Sequence, residues 1–297
     1  MKIISVVVTY NRFELLKVTI AHLKAIGRLS AIVVVNNGST DGTAEWLQEQ
    51  TGLNVISQDN VGGSGGFYVG MKRAYDLGAD LIWCMDDDVY PEPTCLDELL
   101  KHADADDIGI LCPRRIREGK VFVNECRQIN LANPFRPMHR GRLTPDVTTA
   151  TDIEGMVFEG PLISRRVVER IGLPNKDLFL FYDDTDYSLR TVQAGLRVRY
   201  IPEAIIQKKL FFSDDTWTAK FQKKKKKHLY QVRNSAYFNH HYGSNAGVRY
   251  LRPFIDLQGY LWGAILMAIL RRGYSWSDVA DIFRAYSNGI HSRLGKI

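Results

Sequence analysis

The sequence predicts an α/β protein built on a Rossmann-like sheet, with a helical region after it, and three observations carry that prediction. Short β-branched runs alternate with helix-like stretches through residues 1–112, each run closes on a polar cluster, and the composition is that of an ordinary globular domain. Hydrophobic residues make up 45% and charged residues 24% of the 297, which excludes collagen-like, disordered and polytopic membrane classes. A chain of this length buries a full core, as one large α/β domain with an appendage or as two smaller domains.

The elements follow in order. "IISVVVTY" (3–10) is a β-branched strand, "NRFELLKVTIAHLKAI" (11–26) has helical apolar spacing, and "AIVVVNNGSTDGTAEWLQEQ" (31–50) repeats strand, loop and helix. "LNVISQ", the glycine-rich "DNVGGSGGF", the helical "YVGMKRAYDLGA" and the strand "DLIWCM" complete a nucleotide-binding half. Residues 113–150, rich in Pro, Arg and Asn, read as irregular chain or small hairpins bordering a site. "TDIEGMVFEGPLISRRVVERIGLP" is strand, turn and amphipathic helix, and "DLFLFYDDTDYSLRTVQAGLRVRYIP" is loop, helix and strand. The boundaries expected are therefore 1–112 for the nucleotide-binding half, 113–210 for the acceptor-side half, and 211–297 for a helical region with helices near 250–272 and 277–290.

The net charge of +6 favours an anionic partner: nucleic acid, a phosphate ligand or a lipid surface. Cys84, Cys95, Cys112 and Cys126 form no CxxC pair, which reads as reduced thiols in a cytosolic protein. "MKIISVVVTYN" is too short and too weakly apolar for a signal peptide, so export is not expected.

Three constellations carry chemistry. In "CMDDDVYPEP" the carboxylates Asp86, Asp87 and Asp88 repel one another at a strand end, so they require solvent, basic partners or a divalent cation. Hard oxygen ligands suit Mg²⁺ or Mn²⁺ completed by substrate phosphates; the alternative is a solvated acidic turn that caps the next segment. In "DNVGGSGGF", Gly62, Gly63, Gly65 and Gly66 precede a helix, where they serve either a phosphate or a tight structural turn. In "FYDDTDYSLR", Asp183 and Asp184 lie at a helix start, where they cap it or accept a proton from a substrate hydroxyl.

Taken in order, "VVVTYNR", "IVVVNNGSTDGT", "DLIWCMDDDVYPEP" and "GLPNKDLFLFYDDTDYSLRTVQAGLRVRYIPEA" resemble glycosyltransferase family 2, inverting enzymes of the GT-A fold, over residues 3–240. "NVGGSGGF" followed by "MDDD" is most similar to bacterial galactofuranosyltransferases, with rhamnosyltransferases sharing much of the remainder. The resemblance implies a mixed Rossmann-like sheet flanked by helices and a C-terminal helical extension. It implies transfer from UDP-galactofuranose, or alternatively dTDP-rhamnose, to a hydroxyl of a growing cell-surface glycan on a lipid-linked acceptor. It further implies that Thr9, Asn11, Asn36, Asp41 and Asn60 line the nucleotide pocket and that Gly62, Gly63, Gly65 and Gly66 pass close to the donor. Asp86 and Asp88 would hold Mn²⁺ or Mg²⁺ and the diphosphate, Asp87 would lie by the donor sugar, Asp184 would be the general base, and Asp183 would contact the acceptor.

Two departures bear on that carry-over. Asn36 stands where the family usually has Asp, and Gln207, Lys208 and Lys209 stand where many relatives carry a metal-binding histidine. A lysine there would neutralise diphosphate directly and partly replace a metal ligand. The run Lys223 to Lys227 reads as a solvated helix face or loop, or as an attraction to anionic lipid. "GYLWGAILMAILRRGYSW" (259–276) is too short to span a bilayer and reads as a core or interfacial helix. The expected location is cytoplasmic, peripheral at the inner face of the membrane. Two non-catalytic readings complete the set: a basic nucleic-acid-binding protein, which would leave the acidic triplet without a role, and a degenerate transferase kept for assembly.

Overall fold

The computed structural model describes residues 1–209 and 216–297, so the expected boundary at 210 falls outside the described residues. The chain divides into two compact units, and two inner stretches, Asn130–Met138 and Asp177–Asp183, group with the C-terminal helices rather than with the sheet. The division is thus not the contiguous one that composition suggests.

The first unit opens with β1 (Ile3–Thr9), α1 (Phe13–Ile26), β2 (Ala31–Asn36), α2 (Thr43–Glu49), β3 (Leu53–Ser57), α3 (Gly62–Asp76) and β4 (Leu81–Asp86). The strands β3, β2, β1 and β4 lie side by side and parallel. Every residue of β1 is buried, as expected of a strand covered on both faces. Ile4, Val6 and Val8 pack with Phe67, Met71 and Ala74 of α3, while Ile3 and Val7 pack with Leu16, Ile20 and Leu23 of α1. The period of two along the strand and of three to four along each helix sorts these residues into two core layers.

The chain continues through β5 (Val89–Pro91), α4 (Cys95–Leu100), β6 (Ile108–Arg117), β7 (Lys120–Val121), β8 (Cys126–Ile129), β9 (His139–Arg142), β10 (Thr151–Ile153), β11 (Leu162–Ser164), α5 (Arg165–Ile171), α6 (Asp183–Gln193) and β12 (Arg197–Lys208). The main path of the ten-stranded mixed sheet runs β10-β12-β6-β11-β4-β1-β2-β3, with β5 paired to β12 and β7 to β6. β11 is antiparallel to both neighbours, which converts the parallel half into a mixed sheet. The stretch read as irregular chain or small hairpins holds short antiparallel pairs: β6–β7 at the sheet and a separate two-stranded sheet, β8–β9. All four cysteines are free and buried, and burial pushes the Cys126 thiol up to about 12.

The second unit is built on α7 (Trp217–Tyr242), α8 (Arg252–Ile269) and α9 (Trp276–Ile290). Val232, Leu257, Leu261, Ala264, Val279 and Ile282 form its core. Ser275 and Asp278 close a reciprocal capping box at the start of α9. The lysine run lies within α7, where Lys225 turns inward to Asp278 at 2.6 Å while its neighbours face outward. The helix expected near 259–276 is core on one side only: Leu257 and Leu261 are buried, whereas Trp262 and Leu266 are exposed. Among the described residues, no helix is long and apolar enough to cross a membrane.

Candidate active site

The carboxyl ends of β1, β2 and β3 are tied into one loop system, as parallel sheets require of a ligand cleft. Asn11, at φ 53, donates its amide to Ser39 Oγ at 3.1 Å and accepts from the Thr40 amide at 2.7 Å. Asn36 Oδ1 accepts from the Ser39 amide, and Asp41 accepts from the Phe13 amide and the Thr43 hydroxyl. Burial works against the Asp41 carboxylate, but those hydrogen bonds outweigh it and hold its pKa below the ordinary value. Asn60 Oδ1 accepts from the Gly62 amide at 2.9 Å, and Thr9 is buried at the end of β1. Asn37 clamps this loop: it donates to the Gly62 carbonyl and accepts from Gln58 and the Val61 amide.

The glycine stretch differs from the expected loop before a helix. α3 begins at Gly62 itself, and Gly62, at φ 80, is the one glycine of the four with a left-handed backbone. Gly65 and Gly66 lie within the helix. A Cβ on Gly66 would sit 2.5 Å from Val8 Cγ1, and one on Gly70 would sit 2.4 Å from Val6 Cγ1. Close helix–sheet packing therefore accounts for Gly66 and Gly70, and any donor contact falls to the first turn.

The aspartates occupy a buried charge cluster. Arg12 Nη1 lies 3.1 Å from Asp87 and 2.8 Å from Asp88, and Lys208 Nζ lies 3.0 Å from Asp88 and 2.6 Å from Glu159. Arg115 reaches Glu159 at 2.5 Å and Glu125 at 2.7 Å. Burial drives the Asp86 carboxyl well above the usual range despite Lys208, and drives Asp87 up to about 6 despite Arg12. Lys208 is held at about 12, because Asp86, Glu159 and Asp88 outweigh the effect of its burial. Of the three residues at the expected histidine position, the structure brings Lys208 to the site. Gln207 turns to Glu92 at 2.9 Å, as neighbours on a strand must face opposite ways, and Lys209 engages Asp88 through its backbone amide.

Fully ionised, the five carboxylates Asp86, Asp87, Asp88, Glu125 and Glu159 exceed the three cations Arg12, Arg115 and Lys208 by two charges. A divalent cation matches that excess, and Asp86 and Asp88 are the oxygen ligands that would hold it. Among the described residues no group of three or more His, Cys, Asp or Glu is arranged to hold a metal alone. That donor set suits an ion which completes its shell with water and phosphate oxygens. The acidic turn is thus neither solvated nor a cap: Asp87 and Asp88 are buried and paired.

The candidate base lies at the start of α6. Asp184 Oδ1 accepts from the Thr185 amide at 2.6 Å and the Thr185 hydroxyl at 3.2 Å, and Asp183 is the first residue of the helix. Asp186 is a different case, since it is buried and paired with Arg190 at 2.9 Å. Phe158 stacks on Phe67 of α3 at 4.5 Å and meets Tyr187 of α6 at 5.9 Å, so these two helices share an aromatic contact. Just before Asp183 the backbone is strained: Phe179, Phe181 and Tyr182 have φ of 64, 68 and 67. The Asn234 side chain donates to the carbonyls of Leu178, Leu180 and Phe181 at 2.8–3.0 Å, and Arg233 donates to Leu178 at 2.9 Å.

Comparison with known proteins agrees with this geometry. The family model described as glycosyl transferase family 2 matches residues 5–172. The galactofuranosyltransferase GlfT1 of Mycolicibacterium smegmatis is 31% identical over 65% of this chain and 66% of its own length. The undecaprenyl-phosphate mannosyltransferase of Micrococcus luteus is 24% identical over 71% of this chain and 86% of its own. GalNAc-T7, solved with UDP, GalNAc and Mn²⁺, superposes with a TM-score of 0.57 at 13% identity, covering 86% of this chain and 54% of the other. The fold is that of the GT-A glycosyltransferases, and the chain belongs to glycosyl transferase family 2.

Proposed function

We propose that the protein is an inverting glycosyltransferase that moves galactofuranose from UDP-galactofuranose to a hydroxyl of a growing cell-surface glycan. The aspartates Asp86, Asp87 and Asp88, gathered with Arg12 and Lys208 at the carboxyl end of β4, carry this reading, because the carboxylates suit a divalent cation and the basic groups suit a diphosphate. The likeness to GlfT1 supports the galactofuranose donor, and the name of the mannosyltransferase relative supports a lipid-linked acceptor. Mn²⁺ or Mg²⁺, when bound, would offset the charge that develops on the leaving diphosphate. Lys208 adds a fixed positive charge to the same face, and Arg12 holds Asp87 and Asp88 in place. Asp184 accepts the proton of the acceptor hydroxyl as it attacks the anomeric carbon opposite UDP. One displacement inverts that carbon, so no covalent nucleophile is required, and the buried cysteines are not called on.

Melting temperature measured with UDP, dTDP and GDP, each with and without Mn²⁺, tests the reading, since a ligand that binds the native state must raise it. UDP with Mn²⁺ is expected to give the largest rise, followed by transfer from UDP-galactofuranose to a glycan acceptor. A larger rise with dTDP would move the donor to dTDP-rhamnose, because a thymine methyl alters binding in a tight pocket by about 1–3 kcal/mol. No rise with any nucleotide would overturn the reading. Asp88→Ala is expected to weaken UDP binding only when the metal is present. Equal weakening without metal would make Asp88 a structural partner of Arg12 and Lys208 alone.

A further inference from the structure

We infer that the outward face of α8 docks on an anionic lipid bilayer. Beyond Gln258 the helix is apolar on every side, but among the described residues one side of it packs in the core and another stays exposed. Leu257, Leu261, Ala264 and Ala268 pack into the core of the helical unit, while Phe254, Ile255, Trp262, Leu266, Ile269 and Leu270 are 41–64% exposed. These six fall within about half of the helical circumference and form one stripe roughly 24 Å long, at 1.5 Å per residue. The helix cannot cross a membrane, since its other face is core, but such a stripe lies flat at the boundary of headgroups and acyl chains.

Charge selects the occupant. Asp256, the one acid of α8, accepts from Ser235 Oγ at 3.1 Å; from Leu257 through Ser277 the chain has no Asp or Glu, and exposed Arg271 and Arg272 end the stripe, followed by exposed Trp276. Lys220, Lys223, Lys224 and Lys227 share one face of α7. Lys224 lines a groove of about 230 Å³ with Gly259, Gly263 and Met267, so the basic face of α7 borders the apolar face of α8. A second copy seated two-fold on this surface would oppose the same cations, whereas anionic headgroups would neutralise them. Tryptophan at the edge of the stripe suits the interface as well. This docking does not depend on which sugar is transferred, and it would hold the enzyme where a lipid-linked acceptor lies.

Flotation of the purified full chain with vesicles tests the inference, using equal parts phosphatidylglycerol and phosphatidylcholine against phosphatidylcholine alone. The protein is expected to float with the anionic vesicles and to be released as salt rises. Trp262→Glu with Leu266→Glu should lower vesicle affinity at least about tenfold, and Arg271→Ser with Arg272→Ser should remove the preference for phosphatidylglycerol. Both variants should keep the melting-temperature rise with UDP and Mn²⁺, which separates a lost surface from a lost fold. Absence of flotation, or flotation untouched by either variant, would overturn the inference. So would a dimer in light scattering that Trp262→Glu dissociates, since a second copy would then cover the face.

Discussion

Arg115→Met is expected to lower the unfolding free energy by about 3–5 kcal/mol, the cost of leaving a buried charge without its partner. Arg115 is 1% exposed and holds Glu125 and Glu159 at once, so its loss takes the paired cation from buried Glu125 and one of two from Glu159. A methionine replaces the volume of the stem but donates no hydrogen bond. Glu159 sits below the usual carboxylate range, because Arg115 and Lys208 outweigh the effect of burial. A carboxylate depressed in the folded state stabilises above its unfolded pKa, and the stabilisation is lost as pH falls through the folded value. The destabilisation by Arg115→Met should therefore be full at neutral pH and shrink in acid. Urea unfolding of Arg115→Met, Glu125→Gln and the double variant measures it, and the double should recover part of the loss because the two sites are coupled. An unchanged midpoint for Arg115→Met would mean that water already satisfies these carboxylates. The same variant also leaves Glu159 with Lys208 as its remaining partner, which should draw Lys208 from Asp88 and alter nucleotide binding beyond the loss of stability.

The parallel half of the sheet was legible because its strands are covered on both faces and therefore read as unbroken apolar runs, as in "IISVVVT". The polar residues around the strand ends were legible for the same reason: Asn11 follows β1, Asn36 closes β2 and Asp41 lies in the loop after it, where side chains do not have to be apolar. What could not be read is set by contacts distant in sequence. Glu159 looks like a surface charge until the sheet brings it to Arg115, 44 positions before it, and to Lys208, 49 positions after it. The glycines at 66 and 70 give one local signal for two uses, and the nearness of Val8 and Val6 decides for packing. Residues 126–142 gave no strand pattern because β8 and β9 pair only with each other outside the main sheet and leave much of their length exposed. For α8 the periodicity was misleading in one direction only. An apolar helix is normally read as core, but here one side packs in the core while Phe254, Trp262, Leu266 and Ile269 are exposed among the described residues.

Asp184→Asn is expected to lower turnover at least about a hundredfold while leaving the stabilisation by UDP and Mn²⁺ nearly intact, as for loss of a general base. The exchange is well suited to separate chemistry from folding. Asparagine keeps the oxygen that accepts from the Thr185 amide and hydroxyl, so the first turn of α6 retains its hydrogen bonds, but the amide cannot take a proton from the acceptor. Asp186→Asn, two residues on, is the contrasting case. It breaks the buried pair with Arg190 and should cost stability before it costs catalysis. Asn234→Leu addresses how the base is placed. It removes the donor that satisfies three carbonyls beside the left-handed residues Phe179, Phe181 and Tyr182, so the strained approach to Asp183 and Asp184 loses its clamp. Turnover should then fall together with local order, and the pH dependence of what remains should stay that of the intact base. Turnover by Asp184→Asn equal to that of the parent would remove Asp184 from the chemistry and turn attention to Asp183, the other carboxylate at this helix start.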